Sequence, residues 1–187
     1  MDDGEMTADV RPRMAVVGVD PGARWTACVL RLGDYAVTGW TLGPVDSAGQ
    51  PDAKALDEVD DLDALGRYVD RLVDRLNSTV DEAFRLADAV RVGVESIRVP
   101  SGWRHGRPSR VQLSDWLIPR SVVVGVRTAF PDVRLVLPGG NGRPRDDYPA
   151  ELRRRRPPGW GPNEAPRGER DHERSAYDVA GRALAMP

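Results

Sequence analysis

The chain has one cysteine, two histidines and a single lysine, Lys54, in 187 residues. A lone Cys28 can form no internal disulfide, so a disulfide framework is excluded. Cys28 falls inside an apolar run and reads as a small buried hydrophobe. No run of ~18 apolar residues occurs, which excludes a transmembrane helix. The first residues, Met1 to Asp9, carry acids where a secretory leader needs basic residues, so no signal peptide is expected and the expected compartment is the cytoplasm. The length suits one domain and is too short for the two lobes of an actin-like ATPase. The near-absence of lysine beside abundant arginine points to base composition in the source genome as well as to function.

What the chain does have is charge segregated along its length. The net charge is only −2, yet residues 1–97 are net −9 and residues 98–170 are net +8. A segregated arginine-rich half suggests a polyanionic partner. The chain also has 16 Pro and 19 Gly, which implies long loops.

Residues 1–12 read as a disordered N-terminus and 13–187 as one domain. Apolar runs at 13–20, 24–32 and 35–43 predict three strands, with Gly33-Asp34 as the tight turn between the last two. From Leu62 to Leu86 most apolar residues recur at helical spacing, with Asp61 or Asp63 as the cap. Val90–Ile97 predicts a fourth strand, 111–130 a second helix kinked or restarted at Pro119, 133–137 a fifth strand and 171–185 a last helix. The stretch 138–170, dense in Pro, Gly and Arg, predicts a flexible insertion. The order is β-β-β-α-β-α-β-α: an α/β fold with a five-stranded mixed sheet flanked by helices.

The most informative segment runs from Met14 to Leu30. An apolar strand ends in Asp20, turns on Pro21-Gly22 and re-enters a second apolar run. A carboxylate at the end of a buried strand is costly unless it is paired, and a metal ion is a natural partner. Two further acids stand at matching points. Glu95 lies in the fourth strand, in Val92-Gly-Val-Glu-Ser-Ile97, and Asp178 in the last helix. Acids at these three points of this element order are the arrangement of the RNase H-like fold.

The Gly18-Val-Asp-Pro-Gly22 strand, the Val94-Glu95 strand and the acid-bearing last helix together resemble the RuvC-type Holliday junction resolvases, over about residues 14–186 apart from the insertion. The resemblance implies a metal-dependent, structure-selective DNA endonuclease that works on branched DNA as a homodimer, because a four-way junction is two-fold symmetric and needs two nicks. It implies two Mg²⁺ ions, with Mn²⁺ as a substitute, about 4 Å apart. Asp20 would bridge them, with Glu95 on one side and Asp178 on the other. Hard carboxylate oxygens suit these ions. The family also carries an Asp or His three residues before that last acid; here the position is Ser175, a poor substitute. Asp171, which shares a helix face with Asp178, or His172 at the helix entrance, would supply the missing ligand or shuttle a proton. Asp171 reads equally well as a helix cap.

The loop after the fourth strand holds Arg98, Trp103, Arg104, His105, Arg107 and Arg110, at the mouth of this site. Arginines grip phosphates in pairs of hydrogen bonds, and Trp103 can stack on an unpaired base or anchor the loop on the core. Arg153, Arg154, Arg155 and Arg156 form a phosphate-tracking run. The second helix has apolar surface enough for both a core and a dimer interface. Two other readings stand beside the nuclease: a non-catalytic nucleic-acid-binding module on the same fold, suggested by Ser175, and a fragment of an actin-like or sugar-kinase ATPase.

Overall fold

The structure is a computed structural model describing residues 13–52, 54–56, 61–98, 112–139, 143–153, 159–166 and 170–187. Strands β1 (Met14–Asp20), β2 (Thr26–Leu32) and β3 (Tyr35–Leu42) form an antiparallel meander. Gly33, at φ 59°, makes the β2–β3 turn. Helix α1 (Leu62–Leu86) follows, then β4 (Ala89–Glu95), α2 (Ser114–Ala129), β5 (Arg134–Val136), a short α3 (Ala150–Arg153) and α4 (Asp171–Leu184). The sheet order is β3-β2-β1-β4-β5, with β4 and β5 parallel to β1. The bounds agree with the sequence expectation to within three residues at each end.

The two faces of the sheet are covered differently. Val17, Val19 and Val94 point to α1 and α2, where Tyr68, Leu72, Leu76, Ile118, Val122 and Val126 complete the main core. Asp61 caps α1 by accepting from the Ala64 amide at 2.8 Å. Helix α2 runs on through Pro119 without restarting there, and Pro119 is buried. Its Leu113 flank and Val124 stay exposed, so part of its apolar surface is unused by this core.

On the opposite face, Val16 packs with Val179, Ala180 and Ala183 of α4. Here the seam is built of small residues. A Cβ at Gly18 would lie 2.1 Å from the Ala176 carbonyl oxygen and 2.6 Å from the Ala180 amide; one at Gly93 would lie 2.5 Å from the Ala183 Cβ. Helix and strand therefore touch backbone to backbone at Gly18, and at Gly93 the strand backbone meets a methyl group. Arg91 of β4 fixes the far end of α4, donating to the carbonyls of Ala183 at 2.9 Å and Met186 at 2.5 Å.

Parts of the 138–170 stretch, expected from its composition to be flexible, pack against the domain. Tyr148 and Leu152 are buried with Ala27, Val29, Ala36, Ala176 and Tyr177 in a second cluster. Residues 161–164 add to the β3 edge: the Thr41 amide donates to Pro162 at 2.9 Å and the Glu164 amide to Thr41 at 3.0 Å. Glu164 is also bound by Arg71 of α1 and by the Gly43 amide. An exposed sheet edge is thereby closed. The reason the sequence misleads is that few apolar anchors suffice among many Pro, Gly and Arg. No described helix is long and apolar enough to cross a membrane.

Two stability predictions follow from this packing. Gly18→Ala should cost about 3 kcal/mol or more in denaturant unfolding, because backbone atoms of α4 cannot yield to the new methyl. Glu173 of α4 is fully buried beside Arg170, and burial pushes its carboxyl up from 4.5 to about 7, against the pull of Arg170. Between those pH values the folded chain holds a proton that the unfolded chain releases. Stability therefore falls as pH rises through that window, by about 3 kcal/mol. Melting curves from pH 5 to pH 8 should show this slope in the wild type and its loss in Glu173→Gln.

Candidate active site

The site is assembled at the C-terminal edge of the sheet. Val19 of β1 pairs with Val94 of β4, so the next residues, Asp20 and Glu95, end neighbouring parallel strands side by side. Gly18 and Gly93 both face α4, and strand side chains alternate. Asp20 and Glu95, two residues further on, share that face. Both are largely shielded from solvent, with side-chain exposures of 15% and 9%.

Helix α4 begins above this edge. His172, in its first turn, places Nδ1 3.2 Å from Asp20 Oδ2. A carboxylate acceptor there assigns the proton to Nδ1 and leaves Nε2 as the basic nitrogen. Ser175 lies one turn on from His172 and is half-buried. On the far flank of Glu95, Arg182 brings Nη2 to 3.9 Å from Oε1. An imidazole, two carboxylates and a guanidinium thus follow one another across the sheet from β1 towards β5.

The other expected ligands are engaged elsewhere. Asp178 lies about 120° round α4 from His172. Its Oδ1 accepts from Arg143 at 2.5 and 3.1 Å, and its Oδ2 from the Tyr148 hydroxyl at 2.7 Å. Burial first, then the Asp178 carboxylate, hold that phenol above its ordinary value. Asp171 is exposed and paired with Arg174. The resemblance places Asp178 with Asp20; in the structure its carboxylate is held by Arg143 and Tyr148 of the insertion. Arg143, Tyr148 and Arg182 have no periodic or motif signal to mark them.

Among the described residues, no three His, Cys, Asp or Glu side chains stand close enough to form a ready ion cage. Asp20 and Glu95, hard oxygen donors on one face with the His172 imidazole beside them, have the chemistry to hold one divalent ion. Of the expected DNA contacts, Arg98 is exposed just past β4, its carbonyl bound by Trp116 Nε1 at 3.2 Å. Arg153 is exposed at the end of α3, its carbonyl bound by Arg145. Trp103, Arg104, His105, Arg107, Arg110 and Arg154, Arg155 and Arg156 lie outside the described residues.

A meander of three antiparallel strands, two further strands parallel to the first, and acids ending β1 and β4 define an RNase H-like fold. No protein-family model matches the chain, and no curated protein does. Two of the solved structures similar to this chain are RuvC structures. One is T. thermophilus RuvC in complex with Holliday junction substrate, at 19% identity and TM-score 0.37, covering 67% of this chain and 65% of that one. The other is Thermus thermophilus RuvC, at 22% identity and TM-score 0.32, covering 67% of this chain and 64% of that one. The chain thus spans a little under two thirds of the length of either.

Ion binding distinguishes this geometry from the four-carboxylate expectation. Mn²⁺ titrated into the metal-free chain, followed by its paramagnetic signal, should saturate at about one ion per chain. Asp20→Asn should abolish that site. Asp178→Asn should leave the stoichiometry unchanged and lower the melting temperature. Two ions in the wild type, one of them lost in Asp178→Asn, would return Asp178 to the metal.

Proposed function

We propose that the chain is a structure-selective endonuclease that hydrolyses phosphodiester bonds in branched DNA. The observation that carries this reading is the pairing, at one sheet edge, of two carboxylates on neighbouring parallel strands with an imidazole oriented by one of them. Asp20 holds His172 through Nδ1, so that Nε2 can take a proton from water. The water oxygen forms a new bond to phosphorus. The bond from phosphorus to the leaving sugar oxygen breaks, its electron pair goes to that oxygen, and the oxygen takes a proton from solvent. A divalent ion, Mg²⁺ or Mn²⁺, held by Asp20 and Glu95 supplies Lewis-acid charge when bound.

DNA as the polyanion is supported by the net +8 of residues 98–170, with Arg98 and Arg153 exposed. Branched DNA, and a homodimer making paired nicks, rest on the resemblance of Gly18-Val-Asp-Pro-Gly22 and Val94-Glu95 to the junction resolvases. One observation favours a second reading, a binding module that does not cut: a hydroxyl at Ser175 and a fully engaged Asp178 leave few ligands for ions.

The test is cleavage of four-way, flap and linear DNA of equal length with Mg²⁺ or Mn²⁺. The nuclease reading expects nicking of the four-way substrate in preference to linear duplex. Asp20→Asn and Glu95→Gln should each lower the rate about a thousandfold, and His172→Ala about a hundredfold, with binding retained. Tight binding of four-way DNA with every strand left intact would establish the binding module instead.

A further inference from the structure

Arg182 stands in the last turn of α4, where a basic side chain ordinarily stays near the helix C-terminus. It does not stay there. Its Nη1 donates to the Leu137 carbonyl at 2.7 Å and to the Gly139 carbonyl, just beyond the C-terminal end of β5. Those two carbonyls hold the guanidinium at the edge of the sheet that carries the site. Its Nη2 faces Glu95 Oε1 at 3.9 Å, which is an ion pair too long to be a hydrogen bond. The side chain is 30% exposed.

We infer that Arg182 orients the scissile phosphate and neutralises the charge that develops on it. The inference rests on the nuclease reading above and names a residue that reading does not use. Asp20 and Glu95 together repel a phosphodiester, and a cation is needed on the side by which it arrives. Arg182 lies on the β5 side of Glu95, and Asp20 and His172 lie on its β1 side. A guanidinium there can hold a non-bridging oxygen, which lies to the side of the line from attacking water to leaving oxygen. A guanidinium already fixed by two carbonyls needs no rearrangement when the transition state forms. Its charge also lessens what ions must supply, in a site where Ser175 and the engaged Asp178 leave fewer carboxylates for them.

The alternative for Arg182 is a brace that ties the turn after β5 to α4. Three variants separate the two roles. Lys and Gln at this position can both donate to the carbonyls, but only Lys keeps the charge, and Ala leaves space for a free guanidinium ion. We expect Arg182→Gln to lower kcat on four-way DNA about a hundredfold, with KM changed by less than about threefold and the melting temperature nearly that of the wild type. Arg182→Lys should retain more activity than Arg182→Gln. Added guanidinium, below denaturing concentration, should raise the rate of Arg182→Ala about tenfold or more and leave Glu95→Gln unchanged.

A wild type that cuts while Arg182→Gln cuts within about threefold of it would overturn the inference and leave the nuclease reading standing. A rate loss that follows the loss of melting temperature, with no rescue by guanidinium, would make Arg182 a brace only. A wild type that cuts none of the substrates would overturn the nuclease reading and this inference together.

Discussion

Everything at the candidate site depends on how closely α4 approaches β1. At Gly18 the strand has no side chain, and the helix backbone at Ala176 and Ala180 occupies the space where one would be. On β4 the backbone at Gly93 meets the Ala183 methyl group. Dispersion falls off steeply with distance, so a seam of backbone on backbone is stiff and has one preferred depth. That depth brings the first turn of the helix down to the strand end. His172 reaches Asp20 at 3.2 Å because no side chain separates helix from strand two residues earlier. A bulkier seam would lift α4 and take the imidazole out of reach of the carboxylate.

The same seam dictates the electrostatics. A helix pressed onto two strand ends partly desolvates Asp20 and Glu95, and shielded carboxylates need compensation. The fold supplies it from both sides, with an imidazole on Asp20 and a guanidinium on Glu95. Glu173, on the same helix, is more deeply buried, and Arg170, Thr41 and His172 do not fully offset that burial, which is why its carboxyl is pushed up to about 7. Degree of burial thus separates acids that differ little in sequence, and the one beneath becomes a pH-dependent part of the core.

Much of this was legible from the residues. Alternation and helical spacing mark each large element, because binary pattern follows burial. Asp20 is marked by the turn that follows it, and Glu95 by the apolar strand that it ends. The insertion was not legible. Its composition resembles a solvated loop, and the packing of Tyr148 and Leu152, or the binding of Glu164 by Arg71, depends on contacts over more than ninety residues in the latter case. Arg182 was illegible for a related reason: its partners are main-chain carbonyls, and a carbonyl leaves no trace in a sequence.

Asp178 shows most clearly where pattern reading stops. An acid on the last helix, among small apolar residues, fits the expectation of a ligand, and spacing alone does not give its direction. With Ala176, Ala180 and Ala183 against the sheet, His172 stands beside Asp20 at the strand end, and Asp178, one turn before Arg182, meets residues of the insertion. There its two oxygens bind Arg143 and Tyr148, and the stacking of Arg143 on the Tyr148 ring at 4.5 Å completes the contact. The same carboxylate thus ties two residues of the arginine-rich segment to α4. The residue that α4 presents to Asp20 is an imidazole, followed one turn later by Ser175, while Arg182 near the end of the same helix faces Glu95, so one helix brings both cationic partners to the two strand-end carboxylates.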